Sequence, residues 1–177
     1  MNFLILSVMA KVRIVLDADV LIHFSKGDML SLLPDILPEY EHVILSTVYE
    51  EIHSIRNQVD NQVLFLKNIT LEPFNPTGEM LKEYALLLQN FGKGESSCMA
   101  YCKFTHHVIG SSNLKDIKEY CCREQITYLT TLDFLYYAFI RGKITSEECS
   151  QFISTVNAKD SRLPVVDITK YSPSVQL

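Results

Sequence analysis

The chain has 177 residues and a formal net charge of −5, and 47% of its residues are hydrophobic. This length is enough for one domain with a full core, and the hydrophobic content excludes a disordered chain. The negative charge excludes binding to nucleic acid by broad electrostatic attraction, so any such contact is local or runs through cations held on carboxylates.

Cysteine spacing gives no sign of a disulfide framework or of a structural zinc site. The chain has five cysteines, an odd number, and none follows the spacing of small disulfide-rich domains. Cys98 and Cys102 share a predicted helix, with His106 and His107 soon after. Neither a Cys-x-x-Cys pair nor a zinc-finger spacing is present, so we expect buried, reduced thiols.

The chain begins with an apolar segment, residues 1–10, which we interpret as an N-terminal extension. It has no basic region and no small-residue cleavage site, and it is too short to span a bilayer. Met9, followed by Ala10 and Lys11, resembles a second translation start, which indicates that residues 1–8 are an upstream extension of the reading frame. No other apolar segment is long enough to cross a membrane, so we expect no membrane partner and a cytoplasmic location.

Short apolar runs alternate with helical patterns along the rest of the chain. Strand signals fall at 12–16, 42–45, 107–109 and 126–129, with a weaker one at 165–168. Helical periodicity covers 19–25, 47–56, 58–68, 78–90, 94–104, 114–123, 132–141 and 146–157. This alternation predicts an α/β fold, a three-layer α/β/α sandwich around a central parallel sheet of about four or five strands.

The division of the chain follows from the same pattern. The stretch from roughly 46 to 106 is predicted to be almost entirely helical, with a break at Pro73 and Pro76. We place the main domain at residues 11–145 and expect the helix and tail of residues 146–177 to pack on it.

Acidic residues follow the predicted strands at the point where each strand ends. Because ligands of open parallel sheets bind at the carboxyl ends of the strands, an acid there lies at the mouth of a site. Converging carboxylates repel each other unless cations neutralise them, and Mg²⁺ binds a few carboxylates together with waters and phosphate. The pattern therefore indicates metal-assisted hydrolysis of a phosphodiester. The residues are Asp17 after the first strand, Glu50 and Glu51 after the second, Glu95 at a helix start, Asn113 and Asp116 after the third strand, and Asp133 after the fourth.

Some of these acids also fit helix caps. Asp19 is expected to cap the helix that starts at Val20. Glu50 completes a capping box with Thr47, which leaves Glu51 as the better candidate for the site.

The later acids divide in the same way. Thr130 and Asp133 match a second box, which favours a structural role for Asp133. Asn113 and Asp116 are compatible with either a cap or the site. Asp17 alone has no ready structural role beyond that of a turn residue.

The order of these motifs resembles that of PIN-domain nucleases over roughly residues 12–145. Five segments carry the resemblance, in the family's order and spacing. They are LDADVLI at 16–22, LSTVYEEI at 45–52, GKGESSCMA at 92–100, SSNLKDI at 111–117, and YLTTLDFLYYA at 128–138 followed by GKI at 142–144. On this alignment the family's second acid is Glu51, the residue that the capping argument also favours.

The resemblance implies a compact α/β/α fold and a ribonuclease that depends on Mg²⁺ or Mn²⁺. It implies that Asp17, Glu51, Glu95 and Asp116 are the catalytic residues and metal ligands. Many small PIN proteins are toxins paired with an antitoxin, and many form dimers. The partners implied are therefore RNA, an antitoxin protein and a second copy of the chain.

The fourth motif departs from its commoner form, which has two aspartates where this chain has Ser112 and Asn113. As a neutral ligand, Asn113 would hold a divalent cation less strongly than an aspartate does. Ser111 keeps the leading hydroxyl of the motif, and we assign supporting roles to Ser111 and Asp133. If Asp116 does not enter the site, only Asp17 and two glutamates remain as acids.

Two other functions are compatible with the sequence. A degenerate PIN fold would bind RNA or a protein partner without catalysis. A phosphatase of the haloacid-dehalogenase type would use Asp17 as nucleophile and Asp19 as acid/base, because Asp17-Ala18-Asp19 is similar to that family's DxD motif. That family also needs a lysine and a later acidic pair, and the segment after the third strand supplies no immediate acid.

Overall fold

Five parallel strands form the middle layer of the protein. The computed structural model describes residues 11–176, so the N-terminal extension predicted at residues 1–10 lies outside the described residues. The sheet order is β3-β2-β1-β4-β5, and every neighbouring pair is parallel. The strands are β1 (Arg13–Leu16), β2 (Glu41–Leu45), β3 (Thr70–Glu72), β4 (Val108–Gly110) and β5 (Tyr128–Leu129).

Helices fill the connections between the strands and follow the last strand. They are α1 (Ala18–Lys26), α2 (Leu33–Ile36), α3 (Ser46–Glu51), α4 (Arg56–Asp60), α5 (Gly78–Leu87), α6 (Lys93–Thr105), α7 (Leu114–Glu124), α8 (Thr131–Ile140) and α9 (Ser146–Ala158). A π-helical segment at Asn61–Leu66 continues α4, and a 3₁₀ turn lies at Ile168–Lys170.

The helices cover both faces of the sheet. On one face α1 packs against α8 and α9, and the rings of Phe24, Phe134 and Phe152 meet with centroids 5.2 to 6.0 Å apart. On the other face α6 packs against β1, β2 and β4 and against its neighbours α5 and α7. The predicted three-layer α/β/α architecture is therefore confirmed.

Strand β1 lies at the centre of the sheet and is covered on both faces. Ile14, Val15 and Leu16 have no exposed surface, as expected for a parallel strand between two helical layers. The chain moves from β1 towards β2 and from β4 towards β5, so the strand order reverses between β1 and β4. In open parallel sheets the carboxyl ends at such a reversal form a crevice, which is the usual place for a ligand.

The structure corrects two predictions about strands. The stretch 46–106 is not almost entirely helical, because Thr70–Glu72 adds β3 beside β2 as an edge strand. The weak strand signal at 165–168 is wrong, because Val165 is 87% exposed and the chain forms a 3₁₀ turn from Ile168.

The C-terminal segment instead packs along α8 and α9 as an irregular tail. The side chains of Leu163 and Ile168 are buried in the same core as the sheet. The Tyr171 hydroxyl and the Ser174 N–H both donate to one carboxylate oxygen of Asp133, at 3.0 and 2.7 Å. The tail is thus fastened to the start of α8.

The longest helices in the described part of the chain, α6 and α9, have 13 residues each. Within residues 11–176 no helix has both the length and the apolar character needed to cross a bilayer.

Candidate functional site

Asp17 lies at the carboxyl end of β1, beside the reversal of strand order. Its N–H donates to the Gly110 carbonyl at 2.8 Å, which ties it to the end of β4. Its side chain accepts from the Ala18 N–H at 2.8 Å and caps α1. The residue is only 7% exposed, so this carboxylate is almost enclosed by protein.

The structure corrects the prediction that Asp19 caps a helix from Val20. Helix α1 begins at Ala18 and its cap is Asp17. One Asp19 oxygen accepts from the adjacent Val20 N–H at 2.6 Å, and the other accepts from the Ser112 N–H at 2.7 Å. Asp19 therefore reaches across to the loop after β4 and belongs to the carboxyl edge.

Asp17 and Asp19 form a close pair that shares one hydroxyl. The Ser111 hydroxyl lies 3.2 Å from an Asp17 oxygen and 3.4 Å from an Asp19 oxygen. Burial raises the pKa of Asp17 well above its usual range, and the negative charge of Asp19 raises it further. The pKa of Asp19 is also raised, chiefly by burial. Keeping both groups ionised without a cation is therefore costly.

A hydrogen-bonded chain behind this pair fixes the loop after β4. The Ser112 hydroxyl donates to Thr131 Oγ1 and accepts from the Thr131 N–H, both at 2.8 Å. Nδ1 of the buried His23 lies 2.9 Å from the same Thr131 oxygen. Burial lowers the pKa of His23 to about 4, so the ring is neutral near pH 7. The Ser112 side chain is thus committed to α8, and only its N–H serves the acids.

A second acidic pair, Glu95 and Asp116, lies on α6 and α7. Asn113 bridges it, because its side-chain amide donates to Glu95 at 3.0 Å and to Asp116 at 2.7 Å. Asn113 precedes α7 but its side chain makes no capping bond there. The structure thus brings all three residues together.

Electrostatics connect this second pair to the first. The pKa of Glu95 is raised to about 7, first by burial and then by the negative charges of Asp116, Asp19 and Glu51. The charge of Glu95 in turn contributes to the raised pKa of Asp17. Carboxylates from four separate elements therefore share one electrostatic environment.

Glu51 approaches the cluster from the end of α3. Its carboxylate accepts from the Gly94 N–H at 2.9 Å, at the start of α6 and next to Glu95. A Cβ atom at Gly94 would lie 2.5 Å from the other Glu51 oxygen and 3.3 Å from Val48. Glycine therefore permits the close approach of α3 to α6.

The predicted capping box of Thr47 and Glu50 is wrong. Helix α3 begins one residue earlier, at Ser46, and has no side-chain cap. The Thr47 hydroxyl instead bonds to the Ser97 hydroxyl on α6. Glu50 is therefore not engaged in a capping box, and capping does not explain why Glu51 rather than Glu50 would serve the site. Glu51 is nevertheless the residue that contacts α6.

Asp133 has the structural role that the second capping box predicted. Asp133 and Thr130 form the reciprocal box at the start of α8. Its other carboxylate oxygen is the one held by Tyr171 and Ser174, and the residue has no exposed surface. Asp133 therefore anchors the tail, and none of its hydrogen bonds in the described residues runs to the acidic cluster.

The acids at the carboxyl edge lack cationic partners within the described residues. Among residues 11–176, no lysine, arginine or histidine forms an ion pair with an acid of the cluster. Across the same part of the chain, no three His, Cys, Asp or Glu side chains are close enough to form a ready-made metal site. We name this group the edge cluster: Asp17, Asp19, Glu51, Glu95 and Asp116.

The donor chemistry of the edge cluster fits a hard divalent cation, which prefers oxygen ligands. Carboxylate oxygens dominate the cluster, and the Ser111 hydroxyl and the Asn113 amide add neutral donors. Cys98 and Cys102 are free and buried, as expected for reduced thiols. Burial raises the pKa of the Cys98 thiol and the charges of Asp17, Asp19 and Glu95 raise it further, so this cysteine lies close to the cluster as a neutral group. Sequence reasoning missed Asp19, and the available signal was its position two residues after an acid that ends a buried strand.

Comparison with known proteins adds no relative: no protein-family model matches the chain, and no curated protein matches it.

Proposed function

We propose that the chain is a PIN-like endoribonuclease that hydrolyses RNA phosphodiester bonds with the help of Mg²⁺ or Mn²⁺. One observation carries this proposal. Burial and three neighbouring acids raise the pKa of Glu95 to about 7, while no positive side chain of the described residues pairs with the cluster. A cluster of this kind at the reversal of strand order is suited to binding a divalent cation.

Asp17, Glu95 and Asp116 would move closer together to hold the cation, with Glu51 and Asn113 beside them, since no three of these side chains form a ready-made site in the described residues. When bound, the metal would activate water and stabilise the charge that develops on the phosphate. The chain's own contribution is orientation. The N–H groups of Ala18 and Gly94 fix the carboxylates of Asp17 and Glu51.

Asn113 would change its hydrogen bonding when a cation binds. At present its amide nitrogen faces the two carboxylates of the second pair. Rotation of the amide by half a turn would present its oxygen instead, which is the atom that coordinates hard cations. The amide therefore bridges the two carboxylates when no metal is bound. With a metal bound, the same amide would offer a neutral oxygen ligand.

The partners proposed are RNA, an antitoxin protein and a second copy of the chain. The resemblance in motif order supports all three. Exposed apolar side chains on the π-helical segment support a protein partner, since Leu64, Phe65 and Leu66 are 60%, 77% and 52% exposed. Contiguous apolar surface of this kind often marks an interface.

The alternative function is a non-catalytic PIN fold that binds RNA or protein. The observation that favours it is the same bridge by Asn113. Its amide lowers the repulsion between Glu95 and Asp116 and could serve as a permanent substitute for a cation.

Metal titration followed by melting temperature, together with RNA cleavage, tests the proposal. We expect Mg²⁺ and Mn²⁺ to raise the melting temperature saturably and to be required for cleavage of a structured RNA. K⁺ at matched ionic strength is the control for screening. Turnover of p-nitrophenyl phosphate would instead indicate the phosphatase, and the absence of both activities and of the metal effect would indicate the binding module.

A further inference from the structure

A groove runs from the edge cluster along the outer surface between α5 and α7. It encloses about 390 Å³, and Asp116 lies among its lining residues. This volume is at the lower end of the range of about 300–1,000 Å³ found for small-ligand pockets. The groove is therefore continuous with the proposed metal site and large enough for part of a substrate.

Part of the lining of the groove is apolar, and we call this part its floor. Leu86 and Leu87 at the end of α5 and the half-buried Phe91 in the following loop line it. Leu86 is 59% exposed, an unusual state for a leucine beside a concave surface. Tyr120 from α7 also lines the groove and is almost fully buried. This surface is suited to the flat, apolar face of a planar ring.

Two cationic side chains on α7, Lys115 and Arg123, line the groove beside this floor. The Arg123 guanidinium lies over the Tyr120 ring, 5.2 Å from its centroid. Lys115 is exposed and has no ion-pair partner among residues 11–176. Arg123 also pairs with Glu124, which does not line the groove, at 2.9 Å. The lining therefore combines apolar side chains with two cationic ones, of which Lys115 has no ion-pair partner in the described part of the chain.

The acids of the groove are largely accounted for. Glu83 is held by Lys103 at 2.9 Å and accepts from the Tyr120 hydroxyl at 2.9 Å. Asp116 belongs to the edge cluster, where a bound cation would offset its charge. Only the exposed Glu119 faces the groove without such a partner in the described part of the chain.

We propose that this groove binds the base of the nucleotide next to the scissile phosphate of a single-stranded RNA. The base would lie on Leu86 and Phe91, and its phosphate would lie near Lys115 and Arg123. This inference rests on the proposed ribonuclease function for its link to cleavage. The choice of occupant rests on continuity with Asp116 and on charge complementarity to a phosphate, combined with a floor that accepts any base.

Two substitutions with matched controls test the groove. Leu86→Ala removes the floor, and Leu81→Ala is its control, because Leu81 is a similarly exposed leucine of α5 that does not line the groove. Arg123→Gln removes a cation, and Lys118→Gln is its control on an exposed position of α7 outside the groove.

The measurement is fluorescence anisotropy of a labelled single-stranded RNA, with Ca²⁺ in place of Mg²⁺ to keep the oligonucleotide intact. We expect Leu86→Ala and Arg123→Gln each to raise Kd by about five- to tenfold, within the range for loss of one base or phosphate contact. The two controls should stay within about twofold of the parent, since neither touches the groove.

A parallel melting-temperature titration with Mg²⁺ separates this inference from the proposed function. A normal metal response with weaker RNA binding only in the groove variants supports the inference. If the protein responds to metal and cleaves RNA but both groove variants keep the parental Kd, the proposed binding role of the groove is wrong and the proposed ribonuclease function stands. If the protein shows neither metal response nor cleavage but the groove variants lose RNA affinity, the binding role of the groove is supported and the ribonuclease function is wrong. No RNA binding by the parent chain overturns the groove outright.

Discussion

The carboxylates of this protein behave differently in two regions. Away from the carboxyl edge of the sheet, several acids are paired with cations, among them Glu39 with Arg141, and Glu124 with Lys103 and Arg123. Hydrogen bonds from these partners lower the pKa of Glu39 and Glu124. At the carboxyl edge, burial and mutual repulsion raise the pKa of Asp17, Asp19 and Glu95.

The difference shows where the fold balances its own charge and where it does not. The paired acids need nothing from outside the chain. The edge cluster concentrates negative charge in a crevice that the described residues leave uncompensated, which is costly in folding and is suited to cation binding. The predictions below test this contrast.

The largest expected effect is the loss of RNA cleavage in Asp17→Asn. An amide keeps the cap on α1 but removes the most buried carboxylate of the cluster. Loss of residues that only support metal ligands costs about 10- to 100-fold, so loss of a ligand should cost more than about a hundredfold. Initial rates on RNA with Mg²⁺ measure this. Glu39→Gln, from the paired region, should cleave at the parental rate, and equal rates for all three proteins would contradict the assignment.

The next effect is stabilisation by metal. At a Mg²⁺ or Mn²⁺ concentration of about 100 times Kd, binding to the folded state adds about 2.7 kcal/mol, or roughly 5–10 °C for a chain of this size. Differential scanning fluorimetry measures the shift. Asp17→Asn should lose most of it, whereas Glu39→Gln should retain it. A shift of the same size in both variants would place the metal outside the edge cluster.

Asn113→Asp should sharpen the cluster into a stronger metal site. A third carboxylate between Glu95 and Asp116 adds charge for a cation and repulsion without one. We expect roughly tenfold tighter Mg²⁺ binding, about 1.4 kcal/mol, together with a lower melting temperature in chelator. Isothermal titration calorimetry measures the affinity for Mg²⁺. Asn61→Asp, which makes the same change at an exposed position of the π-helical segment, is the control. Unchanged affinity would indicate that Asn113 is not next to the metal.

The two regions should also respond to pH in opposite directions. Glu95 has a folded pKa of about 7 against an ordinary value of 4.5. Between these values the folded protein keeps a proton that the unfolded chain releases, so the free energy of unfolding falls as pH rises. Glu39, whose pKa is lowered, contributes stability that is lost as pH falls.

Urea denaturation of the metal-free protein measures the free energy of unfolding from about pH 5 to about pH 7.5, the range over which Glu95 is expected to titrate. Glu95→Gln should reduce the fall and leave the part that Asp17 contributes, because burial raises the pKa of Asp17 to about 8. Saturating Mg²⁺ should reverse the fall, because binding favours the ionised form. A stability that rises with pH in chelator, with no change in Glu95→Gln, would contradict the raised pKa.

The smallest effect belongs to the paired region. Glu39→Gln removes a partly exposed ion pair with Arg141 and should cost no more than about 1 kcal/mol. Chemical denaturation measures it. A loss of several kcal/mol, comparable to the effect of metal, would erase the contrast between the two regions.

The sequence was sufficient to predict the layers and most of the acids of the crevice. The run Ile14 to Leu16 is apolar without alternation, as expected for a strand covered on both faces, and Asp17 directly follows it. The sequence did not predict β3. Thr70–Glu72 is a three-residue edge strand with partly exposed side chains, which is too short to show a periodic pattern of apolar residues.

Local capping rules failed where a tertiary contact competed for the same side chain. Thr47 was expected to bond within α3, but its hydroxyl contacts Ser97 on another helix. Asp19 was expected to serve its own helix, but it accepts the Ser112 N–H from the loop after β4. Capping rules consider only neighbours in sequence, so they cannot detect a partner 93 residues away. The box at Thr130 and Asp133 was correct because both of its partners are local.

Gly94 gives the proposed centre a fixed dimension. Glu51 and Glu95 come from separate crossovers of the sheet, and the absence of a side chain at Gly94 allows their helices to lie in direct contact. Any added methyl group would move the Glu51 carboxylate outward while Glu95 stayed on its helix. Under the proposed function, Gly94 is therefore the position at which an added methyl group would change the spacing of the acids and, with it, the preference between small and large cations.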